Sequence, residues 1–317
     1  MKRVVSVSLG SSSRDASIET EILGEKFKIE RIGTNGDMEK AIRLIKDLDG
    51  KVAAFGLGGT DLYVQAGNRR YLIRDAKGIV QAAVKTPIVD GSGLKNTLER
   101  KVINYLEEKE IINFRGKKVL MVCGMDRFGM AESLEAVGAD VTLGDLIFVL
   151  GLPLPLKSLK ALDRIARLIA PVVCQLPFKY LYPIGDKQAE IKPKYSSYYN
   201  DADVIAGDFH FIKKFMPDSL AGKIIITNTV TRDDLLMLKN RGVELLITTT
   251  PELDGRSFGT NVMEGMLIAI SGKDPKEIRP QDYEELLEKI ELKPRVEKLG
   301  SPVAYGEAAE EPLLSLA

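Results

Sequence analysis

The 317-residue chain has no tryptophan, one histidine and two cysteines, and its 45 basic side chains are matched by 45 acidic ones. Each scarcity removes a class of function. With no excess of positive charge there is no long-range field to hold the chain on nucleic acid or an anionic bilayer, so neither is expected as a partner and a charged ligand must be met by local groups. A lone His210 builds no histidine-rich metal site, and Cys123 and Cys174 lie in apolar segments with no ligand pattern around them. No metal centre is therefore expected, and the cysteines read as buried free thiols in a reducing, cytoplasmic compartment. Nowhere do the roughly 18 consecutive apolar residues of a bilayer-spanning helix occur. The start, Met1 to Arg3 followed by Val4 to Gly10, carries an apolar run too short and too polar for a signal peptide and reads as a first strand.

What is present points to a globular α/β protein. The hydrophobic share is 44% and the charged share 28%, enough apolar material for a packed core, and the length exceeds what one core usually organises, so two domains are expected. After Val4 to Leu9, a hairpin of Ile18–Leu23 with Lys26–Ile32 turns at Gly24-Glu25. Thr34 to Asp37 then opens a helix in which Met38, Ala41, Ile42, Ile45 and Leu48 recur at helical spacing. Strand Val52–Phe55 enters the glycine-rich turn Gly56 to Asp61. Further strands at Tyr71–Ile73 and Ile88-Val89 flank a helix Ala76–Val84, and a long helix covers Leu94–Glu110.

From Gly116 the unbroken apolar run Val119–Cys123 reads as a strand buried on both faces, followed by helix Phe128–Val137 and strand Val141–Leu143. Helices are expected at Leu159–Ile169, Arg232–Asn240, Asn261–Ile270 and Asp282–Ile290. Strands are expected at Pro171–Cys174, Val204–Ala206, Ile224–Thr227 and Leu245–Thr248. The alternation predicts an N-terminal α/β substrate domain over 1–112, a C-terminal Rossmann-like doubly wound sheet over 113–272, and a final helix and tail over 273–317. Between Phe178 and Asn200 five tyrosines gather in a loop or lid. The Ala- and Glu-rich end from Glu307 is expected to be disordered or to pack on a neighbour.

The strand Val119–Cys123 runs into Gly124-Met125-Asp126-Arg127-Phe128-Gly129, then a helix, then a strand ending at Asp145. Asp145 stands about twenty residues past Gly124, where the acid of a dinucleotide-binding unit meets the ribose. Gly124 suits the tight turn and Gly129 a close helix–strand approach, but Asp126 fills the central glycine position and sets a carboxylate against the pyrophosphate. Arg127 offsets that charge by pairing with phosphate or with Asp126. Two outcomes stay open: NAD or NADP on this turn, with Phe128 beside it, or a Rossmann-like fold that binds another anion or none. Thr227, Asn228, Thr249 and Thr250, at the ends of later strands, supply hydroxyls and an amide for a ribose or nicotinamide, or serve as turn chemistry.

The run Asp90-Gly91-Ser92-Gly93-Leu94, the long helix, Gly116 to Val122, the glycine turn and Gly138-Ala139 resemble the quinate/shikimate 5-dehydrogenases. Thr248 to Leu253 and the helix bearing Met266 to Ala269 look like that family's carboxy-terminal edge. The resemblance covers residues 90–272 and only loosely the first domain. It implies a substrate domain beside an NAD(P)-binding domain, with a ring hydroxyl of a quinate- or shikimate-like acid reversibly oxidised in the cleft. It further implies an Asp and Lys pair handling the hydroxyl proton. Asp90 matches the Asp, and its own position also suits a helix cap. The lysine has no direct match, because the segment reads Gly58-Gly59-Thr60-Asp61-Leu62; Lys77 and Lys85 on a neighbouring helix are the candidates. The carboxylate would rest on small hydroxyl residues near the first strand, here Ser6, Ser8, Ser11 and Ser12, with Arg14 as a helper and Asp61 nearby.

Asp208 and His210 follow a strand, where α/β sheets place ligands, though packing explains them as well. Arg256 in its loop is a candidate anion clamp. No Gly-x-Ser-x-Gly elbow or P-loop lysine occurs, which leaves hydrolase and P-loop chemistry without support. The leading expectation is an NAD(P)-dependent oxidoreductase for a hydroxylated cyclic carboxylate. Its alternative is a non-catalytic ligand-binding or regulatory protein on a degenerate Rossmann-like fold. Either takes a small-molecule partner and leaves room for a homo-oligomer.

Overall fold

A computed structural model describes residues 1–66, 69–178, 191–253, 256–257 and 259–300. Its first sheet has the order β2-β3-β1-β4-β7. The strands are β1 (Lys2–Ser8), β2 (Ala16–Ile22), β3 (Glu25–Gly33), β4 (Ala54–Gly58) and β7 (Ile88–Val89), while β5 (Tyr63–Ala66) and β6 (Arg69–Leu72) form a separate hairpin. The expected hairpin is β2 with β3, the one antiparallel pair of this sheet; β1 pairs in parallel with β3 and β4, and β4 with β7.

Alternation along β1 sorts its side chains. Val5 and Val7 face α1 (Met38–Leu48) and α2 (Ala76–Ala82), packing on Ala41, Ile45, Ala76 and Ile79. Val4 faces the other way, into a core shared with the second half. The two-residue repeat therefore carries Ser6 and Ser8 onto the face of Val4, further along toward the carboxyl end of the strand.

The second sheet has the order β15-β12-β11-β10-β8-β9. It comprises β8 (Lys118–Met121), β9 (Asp140–Leu143), β10 (Val204–Ala206), β11 (Ile224–Thr227), β12 (Leu245–Thr248) and the antiparallel edge β15 (Arg295–Lys298); β13 (Glu252–Leu253) and β14 (Arg256–Ser257) pair on their own. Its helices are α4 (Phe128–Ala136), α5 (Leu159–Val173), α6 (Ser196–Asp201), α7 (Phe209–Phe215), α8 (Arg232–Asn240) and α10 (Pro280–Lys289). The chain is thus an α/β protein with two mostly parallel sheets forming two domains.

Two helices join the sheets. α3 (Ser92–Glu108) and α9 (Thr260–Ser271) contribute Leu94, Leu98, Val102, Val262 and Met266 to a core that also holds Val4 and Ile29 from the first sheet and Val119 and Ile247 from the second. α9 lies so close on β4 that a Cβ at Gly56 would come within 2.8 Å of the Asn261 carbonyl oxygen. Glycine there is a requirement of the approach.

Several expectations need correcting. No strand forms at Pro171–Cys174, because α5 runs on through Pro171. Pro171 and Arg167, whose carbonyl loses its helical partner, are both exposed residues, and the buried stripe Leu159, Leu162, Ala166, Ala170 continues on the other side. Strand β4 starts at Ala54 and extends to Gly58, later than its expected position. The edge β15, the helix α7 and a π-helical turn over Asp145–Val149 were not expected. Tyr180, Tyr182 and the tail from Glu307 lie outside the described residues; Tyr199 is buried, its hydroxyl donating to the Ile212 carbonyl at 3.1 Å. Cys123 and Cys174 are buried and unbridged. Among the described residues no helix is long and apolar enough to cross a membrane.

Candidate functional site

Strand direction decides which side chains can meet. Ser8 ends β1, Gly58 ends β4 and Asp90 follows β7; Cys123, Asp208 and Asn228 follow β8, β10 and β11. All six line one cleft of about 1070 Å³ between the halves. Both parallel sheets therefore direct their carboxyl ends, where backbone donors and loops gather, into a common space.

On the first wall the Ser6 hydroxyl accepts from the Asn261 amide at 2.8 Å. The Ser8 hydroxyl accepts from the Gly10 N–H at 3.1 Å and the Arg31 guanidinium at 2.9 Å. Arg31 also donates to the Ser11 carbonyl and to Asp15, each at 3.0 Å. Ser11 and Ser12 do not line the cleft: Ser11 caps its own short turn, and Ser12 bonds to Asn35. Of the four serine candidates, Ser6 and Ser8 are the two that the strand repeat delivers.

Asp90 is nearly buried, and its carboxylate accepts from the Leu62 N–H at 2.6 Å, the Tyr63 N–H at 3.3 Å and the Ser92 N–H at 2.9 Å. It pins the turn after β4 to the start of α3, but it is not the helix cap: the N-cap is Gly91, with no side-chain capping bond. Lys77 and Lys85 are exposed and absent from the cleft walls. Lys85 packs along Gly50, after α1 and before β7, at the opposite end of the sheet. Lys95, Lys157 and Lys160 do line the cleft, and Lys95, in the first turn of α3, is the one set between carboxylates, with Nζ 2.7 Å from Asp126 and 3.7 Å from Asp61. Burial would lower its pKa, but the charges of Asp126 and Asp61 outweigh burial and hold the ammonium above its ordinary value.

One helical turn further along α3, Glu99 is fully buried and ion-paired with Arg127, itself buried. Arg127 also reaches Asp208 at 3.3 Å and Asp126 at 3.9 Å. Burial pushes the Glu99 carboxyl up to about 7, against the opposing charges of Arg127 and Lys95. Asp208 goes the other way: burial would raise it, but His210 and Arg127 bring it to about 2. Lys95 and Glu99 lie four apart on the face that also carries Val102 and Leu106. Charges at core spacing were the available signal for this pair.

Three backbone donors of the glycine turn are taken by side chains of the protein itself. The Asp145 carboxylate accepts from the Gly124 N–H at 2.9 Å and the Met125 N–H at 2.8 Å. The Gly129 N–H is taken by the Asn96 side-chain oxygen at 3.0 Å. Gly124, Gly129 and Asp145 do not line the cleft, whereas Asp126, Arg127 and Phe128 do. A Cβ at Gly129 would lie 2.8 Å from the Asn96 carbonyl, so this glycine serves the contact of α4 with α3. Three amides of the turn, those of Gly124, Met125 and Gly129, already carry side-chain acceptors, and Asp126 sets a carboxylate on the cleft side, so the residues present do not fit a dinucleotide held on this turn. Asp145 stands at the sequence position expected of a ribose-binding acid but turns back onto the loop. Burial raises its pKa, with the two amides opposing.

Thr227, Thr249 and Thr250 are fully buried behind the wall, Thr227 donating to the Gly207 carbonyl at 2.8 Å and Thr250 to the Asn228 carbonyl at 3.1 Å. Asn228 alone of these four reaches the cleft. The side chain of Arg256 lies outside the described residues. Cys123 lines the floor, where burial raises its thiol well above the ordinary value and leaves it a poor nucleophile. Among the described residues no group of His, Cys, Asp and Glu is arranged to hold a metal ion.

Residues 93–299 match a family described as "Domain of unknown function (DUF8754)". The chain belongs to that family. Residues 3–90 match a second one, "Domain of unknown function (DUF8753)". No curated protein matches the chain. Among solved structures, similar ones include a substrate-binding protein of a sugar ABC transport system from Bordetella parapertussis, with a TM-score of 0.34, 10% identity, and 84% of this chain and 78% of that one covered. L-tryptophan dehydrogenase from Nostoc punctiforme gives a TM-score of 0.35 and 10% identity over 91% of this chain and 80% of that one. NAD-dependent malic enzyme from Thermotoga maritima gives 0.32 and 14% over 91% and 84%. At these scores the likenesses add nothing to the α/β architecture already described.

Proposed function

We propose that this DUF8754 protein binds a small, anionic, hydroxylated molecule in the cleft between its two sheets, with no dinucleotide on the glycine turn. The observation that carries the reading is the division of donors around the cleft. The amides suited to a pyrophosphate are bound internally by Asp145 and Asn96. The cleft itself presents Ser6, Ser8, Arg14, Lys95, His210 and Asn228 beside Asp61 and Asp126. Cationic donors suit a carboxylate or phosphate, and carboxylates and hydroxyls suit the hydroxyl groups of a polyol.

A second reading, an NAD(P)-dependent oxidoreductase for a quinate- or shikimate-like acid, is favoured by Lys95 between two carboxylates. To take a proton from an alcohol, this lysine would first have to lose the carboxylate contacts that hold its ammonium above the ordinary value. This second reading also requires the dinucleotide to displace the Asp145 and Asn96 contacts. Calorimetric titration of cofactor-stripped protein with quinate, shikimate, NAD and NADP separates the two. Binding of a small acid with no dinucleotide heat supports the first reading. Dinucleotide binding, with growth of the reduced-nicotinamide absorbance when quinate or shikimate is added, replaces it with the second.

A further inference from the structure

Arg14 and His210 are 196 positions apart in the chain and meet across the cleft, Arg14 Nη1 lying 3.3 Å from His210 Nε2. Arg14 ends the short turn Ser12–Arg14 after β1, in the first half. His210 lies in the opening turn of α7, in the second half. Each is positioned by groups that are themselves committed. The Asp208 carboxylate accepts the His210 backbone N–H at 2.9 Å as the cap of α7, and its other oxygen is held by the Asn228 amide at 2.8 Å and by Arg127 at 3.3 Å. The loop carrying Arg14 is held by Arg31, which bonds Ser8, the Ser11 carbonyl and Asp15. Asp208 and Arg31 thus act as supports, and the imidazole and the Arg14 guanidinium are the groups presented to each other.

A guanidinium facing a ring nitrogen is a modest contact, and it turns repulsive once the imidazole is protonated. An anionic oxygen between the two converts it into two charge-assisted hydrogen bonds, and the planar fork of arginine suits a carboxylate or phosphate. Resting on the ligand-binding reading above, we propose that Arg14 and His210 form the anion-binding end of the cleft, gripping a carboxylate or phosphate group of the ligand from both halves of the chain at once.

The electrostatic surroundings agree with this role. Burial lowers the His210 pKa below its ordinary value, Asp208 and Asp234 act to raise it, and Arg14 and Lys213 act to lower it. Lys213 and Asp234 are paired with each other at 2.7 Å. The net lowering favours the neutral imidazole. A bound anion favours the imidazolium and raises its pKa, so affinity falls as pH rises through the histidine pKa of the complex.

The test exploits the fact that His210 is the only histidine, so its ring resonances need no assignment. Full-length protein is titrated with inorganic phosphate and, separately, with quinate, following heat and the His210 C2–H signal across pH. The expected result with the probe that binds is a shifted signal whose titration midpoint moves up. Arg14→Ala should weaken binding about ten- to a hundredfold, and His210→Gln should bind with little pH dependence. Which probe moves the signal tells a phosphate ligand from a carboxylate. Binding heat with an unmoved His210 signal, or unchanged affinity in Arg14→Ala, overturns the proposal and leaves the ligand-binding reading standing. No heat and no shift with either probe overturns both.

Discussion

Replacing Asp145 by alanine tests whether this residue is a structural clamp. Its carboxylate accepts two backbone hydrogen bonds, at 2.9 Å from Gly124 and 2.8 Å from Met125, and is nearly buried. Hydrogen bonds to a charged group contribute about 1.5–3 kcal/mol each, so two would give roughly 3–6 kcal/mol. Burying the carboxylate offsets part of that, as the upward direction of its pKa shows. The net loss expected for Asp145→Ala is on the order of 2–4 kcal/mol, since both amides are left without their acceptor. Asp145→Asn should recover little, because the amide nitrogen faces an N–H donor where the second carboxylate oxygen stood. Urea unfolding of the three proteins measures this. A loss below about 0.5 kcal/mol in Asp145→Ala, the range of ordinary surface changes, would show that the turn is held by something else and refute the clamp.

Two further outcomes follow from the charged cluster and from α4. The Glu99 carboxyl titrates near 4.5 in an unfolded chain but at about 7 in the fold. The stability this group confers is therefore full below pH 4.5 and is lost progressively as pH rises to about 7, by on the order of 3 kcal/mol. Glu99→Gln should flatten that decline, at a cost in stability at every pH from leaving the buried Arg127 without this partner; unfolding curves at pH 5 and pH 8 check it, and an undiminished slope would contradict it. Gly129→Ala should cost about 1–3 kcal/mol, because its Cβ would meet the Asn96 backbone and force α3 and α4 apart. A neutral result in thermal unfolding would mean that the two helices yield easily.

The strands buried on both faces and the amphipathic helices were readable from the sequence because their signal is periodic. Val119 to Met121, the β2–β3 hairpin and the helix begun by Asp37 lie within a few residues of their expected places. α5 was misread at Pro171, because proline marks a break unless its position on the exposed side is known. β15, Arg295-Val296-Glu297-Lys298, is a short, charged edge, and its pairing with β12 depends on where the chain returns, not on local pattern. Within the site, strand direction alone explains why Ser6, Ser8, Asp90 and Asn228 reach the cleft. Asp145 shows the limit: spacing gave its position at the end of β9, but not that its side chain would fold back onto Gly124. Lys95 was passed over for Lys77 and Lys85 although it lies four residues from Glu99 on a buried helix face. The contact of Arg14 with His210 links segments so distant in sequence that no spacing rule addresses it.

The most direct test of a cleft that takes a small anion while its glycine turn is closed by its own side chains is calorimetric titration of wild-type protein with NAD, NADP and quinate under one set of conditions. Heat with quinate and none with either dinucleotide is the predicted result. Saturable binding of NAD or NADP to the unmodified protein would contradict it, because the Asp145 and Asn96 contacts would then have to give way to the ligand.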